Sequence, residues 1–113
     1  MTEQNSETVW LTVPDLTTEL GLEVSRVRRL LEEHYLLAVR VDGVLKVPSS
    51  FIKDGEPVHN LRGTIMVLGD AGFSDDEAME WLLNPEESIG IAPIEALRQG
   101  RRSEVRRVAQ ALA

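Results

Sequence analysis

Cysteine is absent from the 113-residue sequence, which excludes disulfides and thiolate metal centres. The only histidines are His34 and His59, and two imidazoles cannot make a four-ligand zinc site by themselves. No apolar run approaches the ~20 residues of a membrane span. The N-terminus lacks the basic-then-apolar order of a signal peptide. A cytoplasmic protein without a membrane partner is therefore expected. There is no Gly-rich phosphate loop, and no serine in a nucleophile-elbow context. The expectation is a chain that is not an enzyme and carries no cofactor. The carboxylates Asp70, Asp75, Asp76, Glu77 and Glu80 lack calcium-loop spacing and read as a solvated face. Trp10 and Trp81 lie in apolar patterns, so core packing is expected for both.

What is present suffices for a folded core: 42% of the residues are apolar and 27% charged, which suits one compact domain or a small module with a helical extension. The net charge is −7, an unpromising total for a nucleic-acid partner, but its distribution is uneven. Residues 1–20 carry −4 and residues 54–97 carry −9, whereas residues 21–53 carry +2 and residues 98–113 carry +4. Contact with DNA needs local positive charge facing phosphates; the total mainly sets long-range steering and salt dependence.

Read along the chain, residues 1–8 are polar and aperiodic, as in a flexible tail. Val9-Trp10-Leu11 is a short apolar entry with strand character. Thr12, followed by Pro14 and Asp15, marks a helix start, with Val13, Leu16 and Leu20 on one face and Gly21 at its left-handed end. A second helix is expected over 24–34 with Glu23 at its cap, its stripe formed by Val24, Val27, Leu30 and Leu31 and continued by His34. The period then changes to that of strands. Asp42-Gly43 between Val41 and Val44 signals a two-residue hairpin, and Pro48 stops its second strand. Asp54-Gly55-Glu56-Pro57 is a turn and a natural boundary.

Beyond it the pattern is helical. One helix spans about 59–70, with Leu61, Ile65 and Leu68 as its face. Ser74 with Glu77 forms a capping box for the next, with Ala78, Trp81 and Leu82 apolar, and Asn84-Pro85 ends it. Pro93 opens a short helix closed by Gly100, and a last helix covers about 103–113. The domain reading is a tail at 1–8, a DNA-binding module at 9–54 and a helical region at 55–113 packed on it.

The informative unit is the helix, tight Gly turn, basic helix and Asp-Gly hairpin over residues 12–47. Two helices joined by a short Gly-containing turn form a helix-turn-helix, whose second helix lies in the major groove with its N-terminal end at the base edges. Here that end supplies Ser25, Arg26, Arg28 and Arg29. Arginine there contacts phosphate or forms a bidentate pair with guanine. The hairpin is then a wing, with Arg40 and Lys46 placed toward backbone or minor groove. The expected class is mainly α: a winged helix-turn-helix with a β-hairpin wing, followed by a C-terminal helical region. The alternative is the same fold used for packing or protein contacts, its basic residues a solvated face.

TVPDLTTELGLEVSRVRRLLEEHYLLAVRVDG resembles the winged helix-turn-helix of MerR-like and excisionase-like proteins, in which a Gly turn, a helix bearing Val-Arg-Arg and a short wing recur. Over about residues 10–113 the chain resembles a small actinobacterial family of winged-helix DNA-binding regulators. That resemblance implies double-stranded DNA as partner, a recognition helix bearing Arg26, Arg28 and Arg29, a wing bearing Arg40 and Lys46, and a C-terminal helical part packed behind. Glu32 and Glu33, also on the recognition helix, depart from what phosphate favours. From Trp81 onward the chain is also similar to the toxin-binding region of some antitoxins. The alternative function this implies is a protein-interaction module, an antitoxin-like adaptor whose partner docks on the C-terminal helices; a helical hairpin that only completes the core is the plainer reading. In the tail, Thr2, Ser6 and above all Thr8 offer hydroxyls to a Ser/Thr kinase, against the plain reading of a soluble tail.

Overall fold

A computed structural model describes residues 8–112 of the chain. Most of the expected tail, with Thr2 and Ser6, lies outside the described residues, as does Ala113. The order is β1 (Trp10–Leu11), α1 (Val13–Leu20), α2 (Val24–Glu32), β2 (Val39–Val41), β3 (Val44–Pro48), a 3-10 turn (Ser49–Phe51), β4 (Ile52–Lys53), β5 (Glu56–Pro57), α3 (Leu61–Asp70), α4 (Asp75–Leu83), α5 (Pro93–Arg98) and α6 (Arg102–Gln110). This is a winged helix-turn-helix followed by a helical region, as the sequence pattern predicts.

Each boundary has a local cause. Thr12 caps α1 reciprocally with Asp15: the Asp15 amide donates to Thr12 Oγ1 at 3.3 Å, and the Thr12 amide donates to Asp15 Oδ2 at 2.9 Å. The Thr12 amide, and after it the Thr12 hydroxyl, hold the Asp15 carboxyl below its usual range. Ser74 and Glu77 close the same box on α4, and Pro93 occupies the first turn of α5. The end of α2 differs from the sequence expectation. His34 does not continue the helix; it adopts φ +65°, and the Tyr35 amide reaches back to the Leu30 carbonyl at 2.9 Å. This is the left-handed ending usually given to glycine, here assigned to a histidine, and so invisible in a search for glycine. Similarly, α3 begins two residues later than expected because Asn60 sits at φ +70°, and α6 ends at Gln110.

The sheet is antiparallel in the order β1-β3-β2, with Trp10 opposite Pro48 and Arg40 opposite Leu45. Asp42 and Gly43 turn the hairpin with φ +54° and +81°, the double positive φ of a type I′ turn. The turn expected at 54–57 is a second, smaller hairpin: Asp54 and Gly55 repeat the same backbone, and Ile52 pairs with Pro57.

One core runs through the whole molecule. Leu16, Val27 and Leu36 from the N-terminal half join Leu61, Leu68, Leu82, Ile94 and Val105 from the C-terminal helices, and Phe51 lies fully buried among them. The two halves are also tied by polar bonds. Arg98 Nη1 donates to the carbonyls of Ser50 (3.0 Å) and Ile52 (2.7 Å), and Lys53 Nζ donates back to the Arg98 carbonyl at 2.7 Å. A partly buried carbonyl left without a donor costs about 1–3 kcal/mol. Arg98→Ala is therefore expected to lower unfolding free energy by about 2–3 kcal/mol, read as a lower urea midpoint at unchanged slope. A shift indistinguishable from zero would show that water replaces the guanidinium without loss.

Candidate nucleic-acid interface

Gly21, at φ +66°, makes the tight turn between α1 and α2, its amide donating to the Thr17 carbonyl at 2.9 Å. Leu16 and Val27, both fully buried, lock the two helices together. With Val27 inward and Leu30 and Leu31 partly buried, the roughly 100° step per residue fixes the rest. Ser25 and Arg29 point directly away from the core. Arg26 and Arg28 lie on opposite flanks, about 160° apart around the axis. All four are exposed. The arrangement fits a groove: two outward residues face the floor while two arginines reach to either wall. Glu33, at the C-terminal cap of α2, is drawn toward Arg29, its Oε2 lying 4.0 Å from Arg29 Nε. Glu32 is exposed and sits in the last turn, away from the basic N-terminal end.

The two expected wing cations part company. Val39 pairs with Lys46 and Arg40 with Leu45, and side chains alternate across a strand, so Arg40 and Lys46 leave opposite faces of the hairpin. Arg40 is exposed and its Nη1 donates to the Gly43 carbonyl at 3.2 Å, bracing the turn. Lys46 is half-buried, and its charge contributes a minor pull on the Asp15 carboxylate. Arg40 stands at the wing tip, Lys46 nearer its root. Thr8 is half-buried and lies by that root, since the next residue, Val9, accepts the Ser49 amide at 2.8 Å.

A residue that sequence reasoning passed over supports the recognition helix from behind. Arg62 Nε donates to the Glu33 carbonyl at 2.8 Å, and its guanidinium lies 5.1 Å from the centre of the Tyr35 ring. A cation on the last carbonyls of a helix is favourable both as a bond and against the helix dipole. The available signal was Arg62 as the only base within the acidic stretch 54–97. No group of three or more His, Asp or Glu residues among the described residues is arranged to hold a metal ion, and no helix is long and apolar enough to cross a membrane.

Comparison with known proteins agrees with the winged helix-turn-helix fold. Residues 4–52 match the family model described as DNA-binding protein Rv2175c, wHTH domain, and residues 58–113 match that of the Rv2175c C-terminal domain of unknown function. The β4–β5 hairpin spans the gap between the two. The DNA-binding protein Rv2175c of Mycobacterium tuberculosis is 35% identical over 114 residues, covering 89% of this chain and 78% of that protein. An NMR structure of Rv2175c matches with a TM-score of 0.85 at 32% identity, covering 95% of this chain and 82% of that one.

The wing turn is the most exacting backbone position of the interface. Gly43→Val places a β-branched residue at φ +81°, a conformation such residues resist. The expected cost is roughly 1–2 kcal/mol, with amide shifts over 39–47 changed and those of the helices retained. Unchanged shifts in the hairpin would contradict the turn described.

Proposed function

Since this chain belongs to the Rv2175c family, we propose that it binds duplex DNA, with α2 in the major groove and the β2–β3 hairpin against the backbone, and that it acts in this way as a transcriptional regulator. The observation that carries the reading is the outward face of α2, where Ser25 and Arg29 project from the core between the flanking Arg26 and Arg28. Ser25 and Arg29 face base edges, where an arginine reads the guanine acceptors. The flanking arginines and Arg40 hold phosphates and set the register. Lys46, nearer the root of the wing and close to Asp15, adds charge without reaching the tip.

The acidic total is compatible with this role. The cations are local and exposed, whereas the Glu77, Glu80, Glu86 and Glu87 carboxylates gather around a concavity at Trp81. That concavity, about 520 Å³ and also lined by Phe73, favours one second reading, a protein partner on the C-terminal helices. The indole Nε1 of Trp81 is buried there without a hydrogen-bond partner.

A phosphate on Thr8, added by a Ser/Thr kinase, would bring about −1.5 to −2 charges to the root of the wing. Its repulsion of DNA is strongest at low ionic strength, because screening sets in over ~8 Å at physiological salt.

Titration with random and defined duplexes at about 50 and 200 mM salt tests these points together. Replacing Arg26, Arg28 and Arg29 by Ala is expected to reduce affinity at least tenfold while changing stability by about 0.5 kcal/mol or less, because all three side chains are off the core. Thr8→Glu is expected to weaken binding at the lower salt only. Wild-type affinity in the triple variant would remove α2 from the groove and leave the protein-partner reading in its place.

A further inference from the structure

We propose that α6 carries a second phosphate-contact surface, formed by Arg102 and Arg106, so that one duplex is held in its groove by α2 and along its backbone by the C-terminal helix. The proposal rests on the DNA-binding reading above and assigns a role to a region whose family model has none.

The arginines of the C-terminal segment divide into two kinds. Arg98 is committed to the Ser50 and Ile52 carbonyls. Arg101 is committed to Glu104, at 2.9 and 3.0 Å, and to the Ile89 carbonyl at 2.9 Å. Arg102, Arg106 and Arg107 are exposed, and among the described residues none of the three forms an ion pair; of these, Arg102 and Arg106 line one cleft. They are four residues apart on one helix, so their like charges sit side by side, a spacing that destabilises an isolated helix by roughly 0.2–0.5 kcal/mol. No carboxylate among the described residues pairs with either to relieve that repulsion; an anion between them would.

The surroundings suit such an anion. With Asn60, Thr64 and Ser103 the two arginines line a cleft of about 210 Å³ between α6 and the start of α3. Thr64 Oγ1 is already spent on the Asn60 carbonyl at 3.1 Å. The Asn60 side chain makes no capping bond, which leaves it and the Ser103 hydroxyl available beside two guanidinium forks. Donors of this kind, charged and neutral together, are those that phosphate oxygens accept. Gly63 is what lets Arg106 lie over α3: a Cβ there would come within 2.6 Å of Arg106 Nη2. A helical glycine costs about 0.5–1 kcal/mol relative to alanine, and this one leaves room for a guanidinium.

The cleft is also connected to the C-terminal end of α2. Asn60 is shared with a neighbouring concavity whose walls include Leu30 of α2, Tyr35, His59 and Arg62. Arg62 in turn meets the end of α2 at the Glu33 carbonyl. Arg62 therefore stands between the C-terminal end of α2 and the cleft of Arg102 and Arg106. Glu56 is the one carboxylate on the walls of that concavity, and its Oε2 lies 3.7 Å from His59 Nε2.

The test compares wild type, Arg102→Ala/Arg106→Ala and Arg102→Lys/Arg106→Lys, together with the α2 triple variant, on duplexes of about one turn and about 25 base pairs at several salt concentrations. Both residues are exposed, so thermal midpoints are expected to be unchanged. On the long duplex the alanine pair is expected to bind about tenfold more weakly at low salt, to the same degree for every sequence. Its slope of log affinity against log salt should be shallower by roughly 2, the signature of two lost phosphate contacts. The lysine pair is expected to keep the slope, and on the short duplex all three are expected to agree. If the alanine pair matches wild type on the long duplex while the α2 variant loses binding, the second surface is refuted and the DNA reading stands. If wild type binds neither duplex, both fall.

Discussion

The guanidinium of Arg98 sits between the carbonyls of Ser50 and Ile52, at the point where the wing returns to the body of the protein. Those carbonyls belong to a single 3-10 turn and its exit, so they have few partners of their own. Phe51 between them is fully buried, so the turn cannot swing out to water without exposing the centre of the core. The Lys53 ammonium closes the loop onto the Arg98 carbonyl. Fixing this junction fixes α5 against it, α6 against α5, and through the α3–α6 packing the placement of Arg62 under the recognition helix. The C-terminal helices thereby act as the support that holds α2 and the wing in one relative orientation. Orientation matters because a helix and a hairpin must meet the same duplex at once, and contacts that set register lose their value if the two move independently.

The distribution of charge follows from the same architecture. Arginines that carry the fold, Arg98 and Arg101, are bonded to carbonyls and to Glu104. Those on α2 project into solvent. The acids concentrate on α4 and the loop after it, where they lower the net charge apart from the arginines of α2. A chain of net charge −7 can thus present a cationic face, and the acids elsewhere act mainly on steering and on salt dependence.

Much of this was legible in the sequence because the local signals were strong and agreed with one another. Thr12 with Asp15, Ser74 with Glu77, Pro93, Gly21 and Asp42-Gly43 each state a cap or a turn through their own chemistry, and each is found where it was expected. What escaped were left-handed residues outside the Asp-Gly turns. His34 and Asn60 take positive φ, and no composition rule marks a histidine for that. The hairpin at Asp54-Gly55 carried the same dipeptide as the wing but lacked long alternating flanks, so it read as a turn alone. The exposure of the α2 arginines was evident from helical spacing. That Arg40 and Lys46 lie on opposite faces depends on strand register, and that Arg62 touches the Glu33 carbonyl depends on a contact 29 residues away in sequence. Neither is a local property.

The central claim is that DNA meets the outward face of α2 and the wing tip together. Amide shift changes during titration of the labelled protein with a duplex at low salt test it most directly. The account predicts that the largest changes fall at residues 25–29 and 40–43, with Phe73, Trp81 and Glu86 unmoved. Changes centred on Phe73, Trp81 and Glu86, with residues 25–29 unaffected, would contradict it.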